Sequence, residues 1–194
     1  MKKDEKLWNE FRGGCDTALS YIYHQNVQKL YRYGRKFTDN EELIKDTIQE
    51  VFFDLIETRP RLGRTDNISY YLYVCFRRKL GLHIKANRQL KSIDSENDVQ
   101  QDINFSFEHE LVQEEGSSEK RQKLNRALAK LTVKQREILY YKYTCGFSYE
   151  QICELTSLKY DSARTQVSRA LSALKRVLIG DGFSINFLAI LRFR

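Results

Sequence analysis

Residues 148–178 have the sequence SYEQICELTSLKYDSARTQVSRALSALKRVL, which predicts two helices joined by a short turn. Ser148 is a residue type that caps helix N-termini, and the turn is expected from Thr156 to Lys159. In the second helix, the residues expected to face inward recur at helical spacing: Ala163, Val167, Ala170, Leu174 and Val177. This pattern is typical of a helix-turn-helix, whose second helix enters the major groove of DNA. A plain helical hairpin within a bundle is the alternative.

The second helix also carries polar and basic side chains that are expected to face outward in its N-terminal half. They are Asp161, Ser162, Arg164, Thr165, Ser168 and Arg169. Arg, Ser and Thr side chains bind base edges and phosphates. Residues 120–179 carry 13 basic and four acidic side chains, and this positive charge favours DNA binding over the plain hairpin.

The rest of the chain also predicts helices. Its 194 residues include one proline and nine glycines, which is too few for a turn-dense sandwich or barrel, so we predict an all-α fold. One helix is expected after Asp16 as its N-cap. Another is expected after a capping box over residues 38–41, and it should end before Pro60. Residues 58–67 are expected to form an exposed loop.

Charge divides the chain into four segments. Residues 1–91 carry 18 basic and 12 acidic side chains, and residues 92–119 carry nine acidic side chains and no Lys or Arg. The acidic segment lacks a sustained apolar stripe, so we predict a flexible linker there. The expected layout is two small helical domains, 1–91 and 120–179, joined by this acidic flexible linker and followed by a tail over 180–194.

Residues 68–91, ISYYLYVCFRRKLGLHIKANRQLK, predict a helix with six basic and no acidic side chains. With Leu72 at the centre of the apolar face, a rotation of about 100° per residue places Cys75, Phe76, Leu80, Leu82 and Leu90 on that face. The opposite face holds Tyr70, Arg77, Gly81, Lys85 and Arg88, with Arg78 beside them, while Lys79 falls on the apolar side. A face of one charge sign with tyrosines suits a polyanion whose bases can stack. Nucleic acid is therefore the expected ligand, and a membrane surface is the alternative.

Several functional classes are not supported by the sequence. Four cysteines and three scattered histidines lack the spacing of a disulfide framework or a zinc site, so we expect reduced thiols, no metal and no cofactor. The sequence contains no P-loop or nucleophile motif, and we expect no enzymatic activity. The N-terminal residues lack an apolar signal core, and the apolar run over 183–191 is too short to span a membrane. We therefore expect a cytoplasmic protein.

With a basic, tyrosine-bearing helix in one domain and a helix-turn-helix in the other, the sequence resembles the extracytoplasmic-function (ECF) group of bacterial sigma factors in the sigma-70 family. The Bacteroidetes-type members are the most similar. The resemblance extends from about residue 7 to residue 178. In the first domain it depends on the run YLYVCFRRKL, which is similar to the family's promoter-melting helix, and on Asp46, Gln49, Glu50, Val51 and Phe52. In the second domain it depends on Leu131, Arg136, Gly146, Ser148, Tyr149, Glu150 and Ile152.

The sequence departs from the family pattern at several positions. Ser157 and Lys159 stand where the second turn usually carries Gly and Ser, and Ala163 replaces a common valine. Leu82 and His83 stand where many members have polar or acidic residues.

The resemblance implies a function in transcription initiation, in which the protein directs core RNA polymerase to promoters and melts the DNA. Core polymerase would bind Asp46, Gln49 and Glu50. The minus-ten element, with its melted non-template strand, would contact Arg61, Arg64, Asn67, Tyr70, Tyr71, Tyr73, Arg77, Arg78, Lys85 and Arg88. The minus-thirty-five duplex would contact Lys159, Ser162, Arg164, Thr165, Ser168 and Arg169. The family also implies an anti-sigma factor as a partner. From the sequence itself, we expect no membrane partner.

An autonomous helix-turn-helix regulator, which binds specific DNA without polymerase, is the main alternative. A recombinase or nuclease would need clustered acidic or nucleophilic groups, and the sequence pattern places no such cluster. An adaptor that binds only proteins would not require a helix of one charge sign.

Overall fold

The computed structural model of the protein describes residues 3–91 and 119–180. Every regular element within these two ranges is helical, so the all-α prediction is confirmed. The chain divides into two compact units, Met1–Ile103 and Asn104–Arg194. The predicted linker lies outside the described residues except for Glu119, and the predicted tail lies outside them except for Gly180.

Four helices form the described part of the first unit. They are α1 (Lys3–Arg12), α2 (Asp16–Gly34), α3 (Glu41–Glu57) and α4 (Ile68–Lys91). α3 ends before Pro60, as predicted, and Arg59–Arg61 form a single 3₁₀ turn. All four helices contribute buried side chains to one core, among them Phe11, Ile22, Ile44 and Phe76.

Three helices of this unit come close together at Gly34, the last residue of α2. A Cβ atom at this position would lie 2.8 Å from Ile44 Cγ2 on α3 and 2.9 Å from Phe76 Cζ on α4. Real Cβ contacts are longer than this, so a residue without a side chain is needed where α2 meets α3 and α4. Gly34 therefore sets how tightly the helices of the first unit pack.

The first turns of α2 and α3 differ from their predicted caps. Cys15 is the N-cap of α2 and makes no side-chain cap hydrogen bond, so the prediction for Asp16 is wrong by one residue. Asp16 lies in the first turn, where its carboxylate interacts favourably with the positive end of the helix dipole. At α3, Asn40 Oδ1 accepts a hydrogen bond from the backbone N–H of Leu43 at 3.0 Å, so one asparagine cap replaces the predicted capping box.

The described part of the second unit also contains four α-helices. They are α5 (Glu119–Ala129), α6 (Val133–Leu139), α7 (Tyr149–Thr156) and α8 (Tyr160–Gly180). α7 and α8 are the predicted helix-turn-helix pair, and the turn between them is shorter than expected because α7 includes Thr156. α8 faces the core with Ala163, Val167, Ala170, Leu174 and Leu178, whereas the predicted Val177 is only half-buried.

Local hydrogen bonds fix the starts of α6 and α7. Thr132 and Ser148 each form a capping box with the glutamine three positions later, so the predicted cap at Ser148 is confirmed. Ser157 directly follows α7 and adopts a left-handed backbone conformation with φ 56°. The sigma factors that the sequence resembles usually have glycine at this position, the residue that adopts this conformation without a steric cost.

A π-helical turn, Tyr140–Thr144, continues α6 and leads toward α7. Within it, the N–H of Cys145 donates to the carbonyl of Tyr140 at 3.0 Å, which closes a ring one residue larger than that of an α-helix. Tyr141 and Phe147 are both buried and stack with ring centroids 6.1 Å apart. Both rings therefore belong to the core of the second unit.

Candidate nucleic-acid interface

The basic face of α4 is only partly as predicted. Arg78 and Lys85 are exposed, as a phosphate-binding role requires. Arg77 is half-buried, since its guanidinium donates to Tyr33 Oη at 3.2 Å and lies 5.6 Å from the centre of the Phe37 ring. Arg88 lies in α4, but its side chain is outside the described part of the structure.

The three tyrosines predicted to face nucleic acid have different environments. Tyr73 is 5% exposed, with its ring centroid 4.7 Å from that of Tyr33, so its ring is part of the core. The prediction that Tyr73 faces a nucleic acid is therefore corrected. Tyr70 and Tyr71 are half-buried, and burial raises the pKa of Tyr71 to about 12, with the neighbouring Cys75 adding to the shift. Tyr71 is therefore neutral at physiological pH and adds no negative charge to the surface.

The prediction is also wrong for Leu82, because the buried face of α4 is rotated from the predicted one. It is 61% exposed, although its position in the sequence predicts the apolar face of α4. The buried residues follow a ridge at every fourth position: Ile68, Leu72, Phe76, Leu80 and Ile84. Each step of four residues advances about 40° around the helix, so the buried face is centred near Phe76 instead of Leu72. This shift buries Tyr73 on one side and exposes Leu82 on the other.

Lys79 faces α3, on the side that the sequence indicated. Its ammonium lies 2.9 Å from Asp54 Oδ2 and 3.3 Å from Glu50 Oε2. His83 Nε2 lies 3.3 Å from the same Glu50 oxygen, and His83 Nδ1 lies 3.0 Å from Thr47 Oγ1. These contacts join α3 to α4 and hold Glu50 against the unit.

The loop over residues 58–67 is exposed at most of its positions, as predicted, but parts of it are anchored to the domain. Leu62 is buried, and the carbonyl of Gly63 accepts a hydrogen bond from Trp8 Nε1 at 2.8 Å. Asn67 Oδ1 accepts from the backbone N–H of Tyr70 at 2.9 Å, so Asn67 caps α4. Arg61 and Arg64 are exposed, as predicted for residues that reach DNA.

α3 presents a second exposed surface, which lies on the side predicted to bind polymerase. Asp46 and Gln49 are exposed, whereas the third predicted residue, Glu50, is half-buried. Phe53 is 60% exposed and Ile56 is also exposed, at helical spacings that place both beside Gln49. This apolar pair is absent from the sequence-based prediction, although Phe53 lies about 100° around the helix from the buried Phe52, on the side away from Val51.

In the second unit, the N-terminal half of α8 matches its prediction. Lys159 before the helix is exposed, as are the predicted residues within it: Asp161, Ser162, Arg164, Thr165, Ser168 and Arg169. Tyr160, at the helix start, is 46% exposed and belongs to the same surface. It was not among the predicted residues, although an aromatic residue directly after Lys159 indicated this surface. Its ring packs edge-on against Tyr149 at 5.8 Å, and Lys142 Nζ lies 4.3 Å from the centre of the Tyr149 ring.

The sequence predicts neither a metal site nor a membrane-spanning helix. Within residues 3–91 and 119–180, no group of His, Cys, Asp or Glu side chains could hold a metal ion. No helix in these ranges is long and apolar enough to cross a membrane.

Comparison with protein families identifies both units. Residues 22–89 match sigma-70 region 2, and residues 121–174 match sigma-70 region 4. The chain combines sigma-70 regions 2 and 4. The region 2 match includes α3, the loop and most of α4, and the region 4 match includes the helix-turn-helix. No curated protein matches the sequence.

Similar solved structures cover most of the chain and so include both domains. One is the sigma factor RpoE in complex with the anti-sigma factor NepR from Bartonella quintana, with 19% identity, a TM-score of 0.54, and coverage of 84% of this chain and 95% of that chain. Another is CnrH in complex with the cytosolic domain of CnrY, with 16% identity, a TM-score of 0.56, and coverage of 92% of this chain and 99% of that chain. At these identities, the likeness shows the fold alone.

Proposed function

We propose that the protein is a sigma factor of the ECF group, of the Bacteroidetes type, which directs core RNA polymerase to specific promoters and initiates transcription by melting DNA. The observation that carries this proposal is the pairing, in one chain, of a region 2 domain bearing exposed cations with a region 4 helix-turn-helix. The first can hold separated strands, and the second can locate a duplex site. A repressor needs only the second of these.

On the region 2 domain, we assign the minus-ten contacts to exposed or half-exposed groups. Arg61, Arg64, Arg78 and Lys85 would neutralise phosphates, and they are all exposed. Tyr70 and Tyr71 keep part of their rings accessible for contact with an unstacked base. Tyr73, Arg77 and Asn67 would act behind this surface, since their side chains are buried or hydrogen-bonded within the domain.

Base capture by this surface needs no nucleotide hydrolysis. Unpairing and unstacking one base costs a few kcal/mol, and stacking on an aromatic side chain returns about 1–3 kcal/mol. Phosphate contacts by the exposed cations add to this, and they weaken as the salt concentration rises. Strand separation can therefore be driven by binding alone, which agrees with the expectation that the protein is not an enzyme.

On the region 4 domain, we assign recognition of the minus-thirty-five element to α8. Arg164, Thr165, Ser168 and Arg169 are exposed on the half of the helix that enters the major groove in this motif. Ser162 and Lys159 lie at the helix start, where contacts to phosphate are expected. The buried Ala163 and Val167 lie between these residues in sequence and fix the helix face that is presented.

For core polymerase, we assign the docking surface to α3. Asp46 and Gln49 are exposed, and Phe53 adds an apolar anchor of the kind that dominates protein interfaces. Glu50 would contribute from a position already bound to Lys79 and His83. An anti-sigma factor is a further proposed partner, since the similar RpoE structure is a complex with an anti-sigma factor. A protein that binds core polymerase would act in the cytoplasm.

Transcription in vitro with core polymerase and a selected promoter tests the proposal. We expect Arg164→Ala to reduce specific transcription by about 1–3 kcal/mol, or about 5- to 150-fold, with binding to core polymerase unchanged. Arg176→Ala is the matched control, since it removes the same exposed side chain from the C-terminal half of α8 and should have little effect. Specific duplex binding by the protein alone, with no stimulation of polymerase, would instead support the autonomous regulator.

A further inference from the structure

We propose that α1 braces the loop over residues 58–67, and that Trp8 and Asp4 are positioning residues for capture of the melted DNA strand. This inference rests on the proposed function. α1 precedes the segment that matches sigma-70 region 2, which begins at residue 22. The α1 side of the brace therefore lies outside the matched segment, and its partners lie within it.

The first contact of the brace is the indole of Trp8. Trp8 is 1% exposed, and its N–H donates to the carbonyl of Gly63 at 2.8 Å. A buried indole N–H without this partner would carry a desolvation penalty, so the contact is favoured strongly. Gly63 lies between Arg61 and Arg64 in the chain, and both of those side chains are exposed. Fixing the Gly63 carbonyl therefore fixes the backbone that carries the two cations.

The second contact joins α1 to the start of α4. Asp4 Oδ2 accepts a hydrogen bond from the backbone N–H of Ile68 at 3.1 Å, and Asn67 Oδ1 accepts from Tyr70 at 2.9 Å. Helix N-termini leave such N–H groups unpaired, and a carboxylate near them is also favoured by the helix dipole. The loop is thus held at Gly63 by Trp8 and at its end by Asp4 and Asn67.

The third contact joins the same indole to an aromatic residue of the proposed DNA surface. The ring centroids of Trp8 and Tyr71 are 5.1 Å apart, in a tilted arrangement. Trp8 therefore contacts the loop through its N–H and α4 through its ring. This one side chain therefore positions both the backbone between Arg61 and Arg64 and the ring of Tyr71.

Preorganisation is the physical consequence of these contacts. A free loop would have to lose conformational freedom when it closes on a flipped base, and that loss would weaken binding. A loop already held by α1 avoids most of this loss. It also holds the cations at fixed positions, so that their phosphate contacts set which base of the strand meets the capturing surface.

The test uses the full chain with core polymerase. Trp8→Phe keeps a buried ring but removes the N–H, and Asp4→Ala removes the second contact, while Asp4→Asn retains an acceptor oxygen. We expect Trp8→Phe and Asp4→Ala to lower permanganate reactivity of the melted promoter by roughly three- to tenfold, the usual effect of one lost hydrogen bond. Asp4→Asn should restore most of the signal. Discrimination among bases at the captured position should weaken in parallel, and amide exchange over residues 63–67 should accelerate.

Phe11→Leu is the matched control, since Phe11 is buried in α1 beside Trp8 at 5.5 Å between centroids and its side chain has no group that could donate a hydrogen bond to the loop. Equal loss of melting in this control would overturn the brace and indicate general loss of packing. Unchanged melting, base selectivity and amide exchange in Trp8→Phe would also overturn it. If the wild-type chain with core polymerase opens no promoter, the proposed function fails, and the positioning role fails with it.

Discussion

Lys79 on α4 lies 2.9 Å from the carboxylate of Asp54 on α3, and this pair links the helix proposed to bind DNA to the helix proposed to bind polymerase. Glu50 lies 3.3 Å from the same ammonium. Lys79 is thus compensated within the domain, whereas the next basic residue along the surface, Arg78, is exposed. The charge offered to nucleic acid is therefore smaller than the number of basic residues in α4 indicates.

Lys79→Met should destabilise the region 2 domain by less than about 1 kcal/mol, because the carboxylate partners are largely solvated. The hydrogen bond with Asp54, and after it that with Glu50, raises the pKa of Lys79 above its ordinary value of 10.5. A raised lysine pKa stabilises the folded state fully below the ordinary value, and this stability is lost as the pH rises through the folded-state value. Urea unfolding followed by fluorescence of Trp8, the one tryptophan, should show a constant difference from about pH 7 to 9 that shrinks above 10.5. A difference that grows at alkaline pH would contradict this account.

Gly34→Ala should destabilise the region 2 domain by about 1–3 kcal/mol, the usual effect of an overpacked core. The added methyl group would lie within 2.9 Å of Phe76 and closer still to Ile44, and both of these side chains are buried. Gly13→Ala is the control, since its Cβ would meet backbone oxygens at 3.4 Å, an ordinary contact. The same Trp8 fluorescence assay compares the two variants. Similar stability for both would show that the helices can move apart at little cost.

Ser157→Gly should stabilise the region 4 domain by about 0.5–1 kcal/mol, because glycine adopts a positive φ without strain and serine does not. Ser172→Gly, the same substitution at an exposed position inside α8, should lower stability by a similar amount. Amide exchange of α8 measures both effects. Destabilisation by both variants would mean that the Ser157 side chain contributes more than its backbone strain costs.

Asp46→Lys should reduce affinity for core polymerase at least about tenfold, since a reversed charge within an interface is strongly unfavourable. Asp46 is exposed on α3, so Trp8 fluorescence and unfolding should be unchanged. Glu10→Lys makes the same charge change on the exposed side of α1 and should leave binding intact. Titration of labelled protein with core polymerase gives the affinities. Normal binding by the Asp46 variant would remove α3 from the proposed docking surface.

Periodicity in the sequence was sufficient to predict α2, α3, α4 and the helix-turn-helix, but it predicted neither α1 nor the rotation of α4. The boundaries of α4 follow from Asn67, Ile68 and the spacing of the apolar residues after them. Which side of α4 is buried depends on α2 and α3, and that is why Tyr73 is buried and Leu82 is exposed against expectation. In α8, the exposed face was predicted correctly because its small inward residues leave little choice of phase.

The contacts of α1 could not have been predicted from local sequence. Trp8 and Gly63 are 55 positions apart, and Asp4 and Ile68 are 64 positions apart. Nothing in the sequence around Gly63 marks its carbonyl as the acceptor for a distant indole. Gly34 is a further example, because only the packing of Ile44 and Phe76 against it excludes a side chain at this position. The roles assigned to individual site residues and the domain boundaries stay predictions.

The π-helical turn Tyr140–Thr144 has a consequence for how the length of the chain can vary. Residues in a wider turn each advance less around the axis, so the chain uses one residue more there than an α-helical turn would. Ile138 before the turn and Ile152 after it are both buried. Deletion of one residue within the turn should yield an ordinary α-helical turn, whereas deletion within α6 should turn Ile138 and Leu139 away from the core of the second unit. We therefore expect the region 4 domain to withstand a one-residue deletion at this turn better than a deletion within α6.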